Sequence, residues 1–349
     1  MELSAAVMSH PSRADAARSL LERLEPLEPS LALDPDPDGP PSALAASLLA
    51  WGGARTDATH HLVVQDDAEL VPDAVDRIRS SITERPDDVL VHYVGWSTAS
   101  AQLVRASGAL PHWGEIVDPY LPAVCVSMPA DLARDIARRP PTSLLDDVNL
   151  RHALAERGRE VWACYPSAAD HGQLPSLVGN DRQGSRGAVS RGGGDALAGS
   201  TTHAVSAFPV IDRRGGDGQL LLRWLERGQD VAWRVRSVND GLRAAGEDPV
   251  EVVRTAAERA RELAGDVGAE VKPRDLALLW LACRGTVREA SRVSRHCRRT
   301  LDPAAARLNL EHAIAEWTGV PSPIWSVLVD DAFDDARSAS EADARLGLD

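Results

Sequence analysis

From Leu3 to Tyr165, short apolar runs alternate with stretches of helical periodicity. That alternation predicts a mostly parallel sheet covered by helices. Strands are predicted at residues 3–7, 31–33, 61–64, 89–94, 123–126 and 160–164. Between them Leu20, Leu24 and Leu27 mark one helical stripe, and Val71, Val75, Ile78 and Ile82 mark a second, spaced i, i+4, i+7 and i+11. Both stripes suit faces packed on the sheet. Pro40, Pro41 and Ser42 open a helix running to Trp51, and Gly52 and Gly53 close it, following the preference for proline at helix starts and glycine at helix ends.

The texture changes near Gly179. Residues 181–205 are rich in Gly, Ser and Arg and include Gly192, Gly193 and Gly194, which predicts a flexible linker or mobile loop. From about Gln219 the periodicity is almost wholly helical, with helices predicted at 249–264, 274–299, 303–317 and 323–337. The predicted organisation is an α/β domain over 1–180, the linker, and a small all-helical domain over 206–349. A chain of 349 residues with 44% hydrophobic content can bury two such cores.

Composition narrows the function. Cys125, Cys164, Cys283 and Cys297 have no CxxC spacing, so neither a disulfide framework nor a zinc knuckle is indicated, and a cytoplasmic location is expected. No stretch reaches the roughly 18 apolar residues of a membrane span, and Met1-Glu2-Leu3-Ser4 lacks a basic leader, so a soluble protein is expected. The net charge of −14 repels nucleic acid and anionic membranes at long range. Lys272 is the single lysine, a bias that fits a GC-rich genome and says little about function.

The most informative segment is His60-His61-Leu62-Val63-Val64-Gln65-Asp66-Asp67, an apolar strand ending in adjacent carboxylates. Ligands of α/β sheets bind at the carboxyl ends of strands. Hard oxygen ligands there suit Mg²⁺ or Mn²⁺ bridging to a diphosphate. The plainer alternative is a solvated turn and helix cap. Asp146 and Asp147, opening a helical pattern, and Asp170-His171, after the strand at 160–164, add two further sets on separate elements. Asp146 also suits an N-cap, and His171 an ordinary packed histidine. Glycosyl transfer needs a cation on the diphosphate, a carboxylate to take the acceptor's proton, and groups that hold the nucleoside.

The order Gln65-Asp66-Asp67-Ala68, then Asp146-Asp147-Val148-Asn149-Leu150, then Val161-Trp162, Asp170-His171 and Pro175-Ser176-Leu177-Val178-Gly179 resembles bacterial A-type-fold glycosyltransferases acting on lipopolysaccharide-like or other cell-surface glycans. The likeness covers residues 3 to about 179. It implies a Rossmann-like domain using a nucleotide-sugar donor, expected to be uridine-linked. It further implies Asp67 as a direct metal ligand, Asp66 as a ribose or metal contact, His171 as the remaining protein ligand, and Asp147 or Asp146 as the base. Many members carry an acid where Gln65 stands, so this turn has one carboxylate fewer.

His10-Pro11-Ser12-Arg13 follows the first strand and opens a helix, where backbone N–H groups meet phosphate. In the family this turn touches the nucleoside diphosphate, which makes His10 and Arg13 candidate nucleotide contacts. Asp34, ending the next strand, is a candidate for base or ribose; a surface Arg and a turn Asp are the plainer alternatives. Trp96, His112, Trp113 and Glu115 fall in a predicted loop and suit sugar stacking, with closure of the core as the alternative for Trp113. Arg284, Arg288, Arg292, Arg295 and Arg299 share one helical face. In so acidic a chain they are expected to pair internally, for instance with Asp330, Asp331, Asp334 and Asp335, rather than to dock phosphate or nucleic acid. Cys283 and Cys297 are expected as buried thiols, His296 not as a ligand beside them.

The residues therefore predict a metal-dependent transferase with an appended helical domain for acceptor recognition or homo-oligomerisation. The competing class is a catalytically lapsed scaffold. Gln65 favours it; the joint presence of Asp66, Asp67, Asp147 and His171 opposes it. A nucleotidyltransferase would open with a Gly-rich basic phosphate loop, which Ser9-His10-Pro11-Ser12-Arg13 is not.

Overall fold

The computed structural model describes residues 1–108, 111–172, 174–175, 177, 186–190, 197–200, 205–214, 219–228, 233–267, 271–296, 302–320 and 324–346. The chain separates into two compact units. The first comprises Met1–Trp96, His112–Asp181 and Arg186–Ala198; the second comprises Ser97–Pro111, Arg182–Ser185 and Gly199–Asp349.

In the first unit, β1 (Leu3–Ser9) is buried along its whole length, which is why it is a continuous run of apolar and small residues. It is followed by α1 (Ala14–Arg23), β2 (Ser30–Leu33) and α2 (Ala43–Gly52). The start of α2 is capped by the Ser42 hydroxyl, which accepts from Ala45 N at 3.2 Å, and Gly53 N closes its end on the Leu49 and Ala50 carbonyls. Next come β3 (His60–Gln65), β4 (Ala68–Leu70), α3 (Ala74–Glu84) and β5 (Val89–Val91). The helix α4 (Ala99–Ser107) belongs to the second unit. The first unit resumes with β6 (Pro111–Glu115), β7 (Cys125–Pro129), α5 (Ala130–Ala137), α6 (Asp146–Ala155), β8 (Val161–Cys164) and β9 (Ala169–His171). A short strand β10 (Leu197–Ser200) adds to the edge of the main sheet.

The main sheet has the order β10-β6-β8-β5-β7-β3-β1-β2. Its pairings correct the expectation of a mostly parallel sheet. The pairs β1–β2, β1–β3 and β5–β8 are parallel, whereas β3–β7, β5–β7 and β6–β8 are antiparallel. The sheet is mixed because β6 and β7 run against β1, β2, β3, β5 and β8. Both helical stripes pack where their periodicity requires: Leu20, Leu24 and Leu27 from one, Ile78 and Ile82 from the other, join Leu3, Val7, Leu62, Val64 and Trp162 in one core. Residues 112–115, expected in a loop, are part of β6.

The second unit also departs from expectation, since it is not all-helical. Besides α4, a three-stranded antiparallel sheet of β11 (Ala207–Arg214), β12 (Gln219–Arg227) and β13 (Trp233–Arg236) precedes its C-terminal helices. These are α7 (Val238–Ala244), α8 (Pro249–Val267), α9 (Pro273–His296), α10 (Pro303–Thr318) and α11 (Ile324–Leu346). In β12 the charged residues Arg223, Glu226 and Arg227 stand at i, i+3 and i+4, the spacing of a polar helix face, which hid the strand from a periodicity search. Of the segment expected as a linker, residues 186–190 are held in the first unit: Trp96 N donates to Gly187 O at 2.7 Å and Val189 N to Val94 O at 2.8 Å.

Candidate active site

The parallel register that sets Met8 opposite Gln65 brings the chain leaving β1 beside the acidic turn leaving β3. Asp66 is buried and saturated there. Its Oδ2 accepts from the Ser9 hydroxyl at 2.7 Å and from His10 N at 3.2 Å, and its Oδ1 accepts from Arg13 Nη1 at 2.8 Å. The same Arg13 nitrogen lies 3.1 Å from Asp67 Oδ2, and Arg13 Nη2 donates to the Pro175 carbonyl. Burial opposes the charge of Arg13, yet its pairing with Asp66 and Asp67 raises its pKa overall. One guanidinium thus ties three chain segments together.

His171 reaches the turn through a two-stranded ribbon in which β4 pairs antiparallel with β9 and Ala68 faces His171. The ribbon closes tightly. Gly172 N donates to Asp67 O at 2.6 Å, and a Cβ on Gly172 would stand 3.0 Å from that oxygen. The Asp170 carboxylate anchors β9 by accepting from His171 N at 2.8 Å and Ala188 N at 2.6 Å. The ring of His171 sits 2.7 Å by Nδ1 from the Gly172 carbonyl, which can only accept, so Nδ1 carries the proton. In the neutral ring Nε2 then presents a lone pair, 3.5 Å from Asp67 Oδ2. Two acceptors facing one another require a proton or a cation between them. The other oxygen, Asp67 Oδ1, is buried and has no hydrogen-bond partner among the described residues.

Asp146 completes the cluster. Gln65 Nε2 donates to its Oδ2 at 3.4 Å. Burial, then the neighbouring Asp147 and Asp67, push its carboxyl up to about 6. Asp147 is also raised by burial, but its side chain accepts from Val148 N at 2.7 Å, a local helix-start contact. Gln65, which removes one charge from the turn, is thereby the link between the turn and Asp146.

The remaining candidates divide. The backbone of His10 touches Asp66 while its ring caps its own turn, Nδ1 accepting from Ser12 N at 3.2 Å, and Nε2 is buried with no hydrogen-bond partner among the described residues. Both oxygens of Asp34 are spent on its own loop, accepting from Asp36 N at 3.1 Å and Ser42 N at 2.6 Å. The acceptor-stacking expectation for Trp113 is corrected. The residue is 2% exposed, lies in the core, and donates from Nε1 to Glu84, which also holds His112. Ser9 and Tyr93 were not foreseen. The Tyr93 ring lies 6.2 Å from His171, and burial and the charge of Asp67 raise its phenol well above the usual range. No sequence pattern marks either residue, because each acts through a contact more than 50 positions away.

In the second unit the arginine face of α9 is internally paired. Arg284 binds Glu247 and Asp335, Arg288 binds Glu247, and Arg292 binds Glu289. Cys283 is a buried thiol; Cys297 and Arg299 lie outside the described residues.

Among the described residues, no three His, Cys, Asp or Glu side chains stand together as a complete metal site, and no helix is long and apolar enough to cross a membrane. No protein-family model matches the chain, and no curated protein matches it. The chain bears a distant structural likeness to a mannosyltransferase, PcManGT from Pyrobaculum calidifontis in complex with GDP-Man and Mn²⁺. The two are 12% identical with a TM-score of 0.31, over 98% of this chain and 87% of that one.

Proposed function

We propose that the first unit is a nucleotide-sugar-dependent glycosyltransferase that moves a sugar from a nucleoside diphosphate, a uridine-linked one by preference, to an acceptor hydroxyl. The observation that carries this reading is the gathering of Asp66, Asp67, Arg13, His171 and Asp146 at the carboxyl ends of β1 and β3. That is the position at which open α/β sheets bind ligands.

The donor set fits a divalent cation. Asp67 offers an unpaired buried oxygen, and His171 offers a lone pair beside the same carboxylate. The balance of charge points the same way: Arg13 pairs with Asp66 and Asp67 while Asp146 and Asp147 add negative charge to the cluster, so an anionic diphosphate entering alone would be repelled. Mn²⁺ or Mg²⁺, held by Asp67 and His171 and completed by the diphosphate, would supply the charge that neutralises the leaving group. Asp66, already saturated, acts by fixing the turn and Arg13. Arg13, the cation of the cluster, would contact the phosphates, and the unpaired Nε2 of His10 would donate to the nucleotide.

Asp146 is the better base of the acidic pair: both carboxylates accept from backbone N–H groups at the helix start, but that of Asp146 also meets Gln65 of the turn and the charge of Asp67. A carboxyl titrating near 6 is ionised at neutral pH yet basic enough to accept a hydroxyl proton.

Hydrolysis of a panel of uridine- and guanosine-linked sugars with Mn²⁺, Mg²⁺ or chelator tests the proposal. Metal-dependent release of nucleoside diphosphate from one donor is expected, falling at least ~100-fold in Asp67→Ala. Absence of turnover and of nucleotide binding would replace it with the lapsed-scaffold reading, which the seating of Arg13 on both turn carboxylates favours.

A further inference from the structure

Gly172 touches both of the groups that a bound cation would need. Its N–H donates to the Asp67 carbonyl at 2.6 Å, and its own carbonyl accepts from His171 Nδ1 at 2.7 Å. The first bond is shorter than the usual N–H···O spacing of about 2.9 Å, so this closure has no slack. The second fixes the ring's tautomer, as the outer hydrogen bond of a metal-binding histidine does. Gly172 is not among the residues with positive φ, so its backbone would accept alanine, and what keeps a side chain out is space. A Cβ would stand 3.0 Å from Asp67 O and 3.4 Å from Glu69 Oε1. Neither wall can retreat freely. Behind β9, Ala168 N and Ala169 N both donate to His92 O at 3.0 Å, and the Asp170 carboxylate accepts from Ala188 N at 2.6 Å. Behind the turn, Asp66 N donates to Met8 O at 3.1 Å, and Arg13 holds both carboxylates.

We infer that Gly172 is the positioning residue of the cation site, its peptide groups setting the distance between the Asp67 carboxylate and the His171 ring so that one divalent ion can meet both. The inference rests on the proposed reading of Asp67 and His171 as cation ligands and adds the residue that keeps them in register. Magnitudes decide the point. A methyl at position 172 forces its neighbours apart by a few tenths of an ångström, whereas ligand distances at a bound metal are kept to about 0.2 Å. The displacement therefore exceeds what coordination tolerates, yet it is small enough for the fold to absorb. Position 172 is selective for glycine through the site rather than through the backbone.

Electron paramagnetic resonance of Mn²⁺ added to the full chain tests this. The signal of free Mn²⁺ gives the affinity, and the nitrogen coupling of bound Mn²⁺ reports the imidazole. Wild type is expected to bind with that coupling and His171→Gln without it. Gly172→Ala should bind at least about tenfold more weakly, with the coupling lost or reduced. Gly52→Ala, whose Cβ would meet only Ala137 Cβ at 3.5 Å, should behave as wild type. Wild-type affinity and coupling in Gly172→Ala overturn the inference, and so does weaker binding with an unchanged coupling, which marks general destabilisation. A second measurement needs no variant. His171-Gly172 is the only His-Gly pair in the chain, so carbonyl-labelled histidine combined with amide-labelled glycine isolates the Gly172 N–H by nuclear magnetic resonance. Diamagnetic Mg²⁺ is expected to shift that signal; an unmoved signal at Mg²⁺ concentrations that displace Mn²⁺ overturns the inference. If wild type binds no Mn²⁺, the inference falls together with the cation ligands it rests on. Nucleotide-sugar hydrolysis is read separately. Turnover by wild type together with unaltered Mn²⁺ binding in Gly172→Ala sinks the positioning role alone, whereas Gly172-dependent Mn²⁺ binding without turnover or nucleotide binding sinks the transferase reading and keeps the positioning role.

Discussion

Asp146 is the residue whose environment departs furthest from what its chain neighbours dictate. An aspartate at a helix start is ordinarily an exposed cap; here burial, Asp147 and Asp67 push it up to about 6. In the unfolded chain it titrates near 3.9. Between about pH 4 and 6 the folded protein therefore holds a proton that the unfolded chain has lost. Stability attributable to this group is present below pH 4, falls as pH rises, and is fully lost above about 6. Asp146→Asn is accordingly expected to raise stability at pH 7.5 by on the order of 2 kcal/mol, to flatten the pH dependence over that window, and to abolish transfer. Urea unfolding at pH 4 and 7.5 checks the first two. A variant no more stable than wild type at pH 7.5 would mean that the carboxylate is not under strain. Arg13 gives the complementary case. Removing it leaves Asp66 and Asp67 without their shared cation, and Arg13→Gln should cost about 3 kcal/mol. Mn²⁺ should recover part of that loss if a cation binds Asp67, a shift that thermal melts in metal and in chelator would read.

At the scale of elements, the positions of β1, β3 and β8 were legible because buried strands in an α/β sheet are apolar on both faces. The boundaries of α2 were legible because Ser42 and Gly53 cap it through contacts within four residues. Strand direction was not legible. Nothing local distinguishes β7 running antiparallel to β3 from a parallel strand, since the choice depends on the path of the connections. The sheet of the second unit was missed for a related reason: β12 carries its charges at Arg223, Glu226 and Arg227, a helix-like spacing, and Trp224 packs against a later helix. That contact is close. A Cβ on Gly241 would fall 2.0 Å from the Trp224 ring. Gly241→Ala is therefore expected to destabilise the second unit by about 2–3 kcal/mol, as overpacking does, while a Trp-free helix position such as the exposed Val250 tolerates substitution. Calorimetric melting of the two variants distinguishes them, and equal melting temperatures would refute the close packing.

For the whole molecule, the proposal predicts linkage between metal and nucleotide. A nucleoside diphosphate at 100 times its dissociation constant should add about 2.7 kcal/mol in the presence of Mn²⁺, a rise of several degrees in a protein of this size. With chelator the rise should largely vanish, because the carboxylates outnumber Arg13 and repel the phosphates. Equal stabilisation with and without metal would assign charge neutralisation to Arg13 instead. By itself the sequence determined where the buried strands and most helices lie, and that a strand ends in two aspartates, because periodicity and capping are written within a few residues of one another. Only the tertiary structure decided that Arg13 bridges those aspartates, that His171 reaches Asp67 across a ribbon, that Asp146 rather than Asp147 faces the turn, and that the arginine face of α9 is spent internally. Each of these depends on partners tens of residues apart, whose meeting is set by register and strand direction rather than by local pattern.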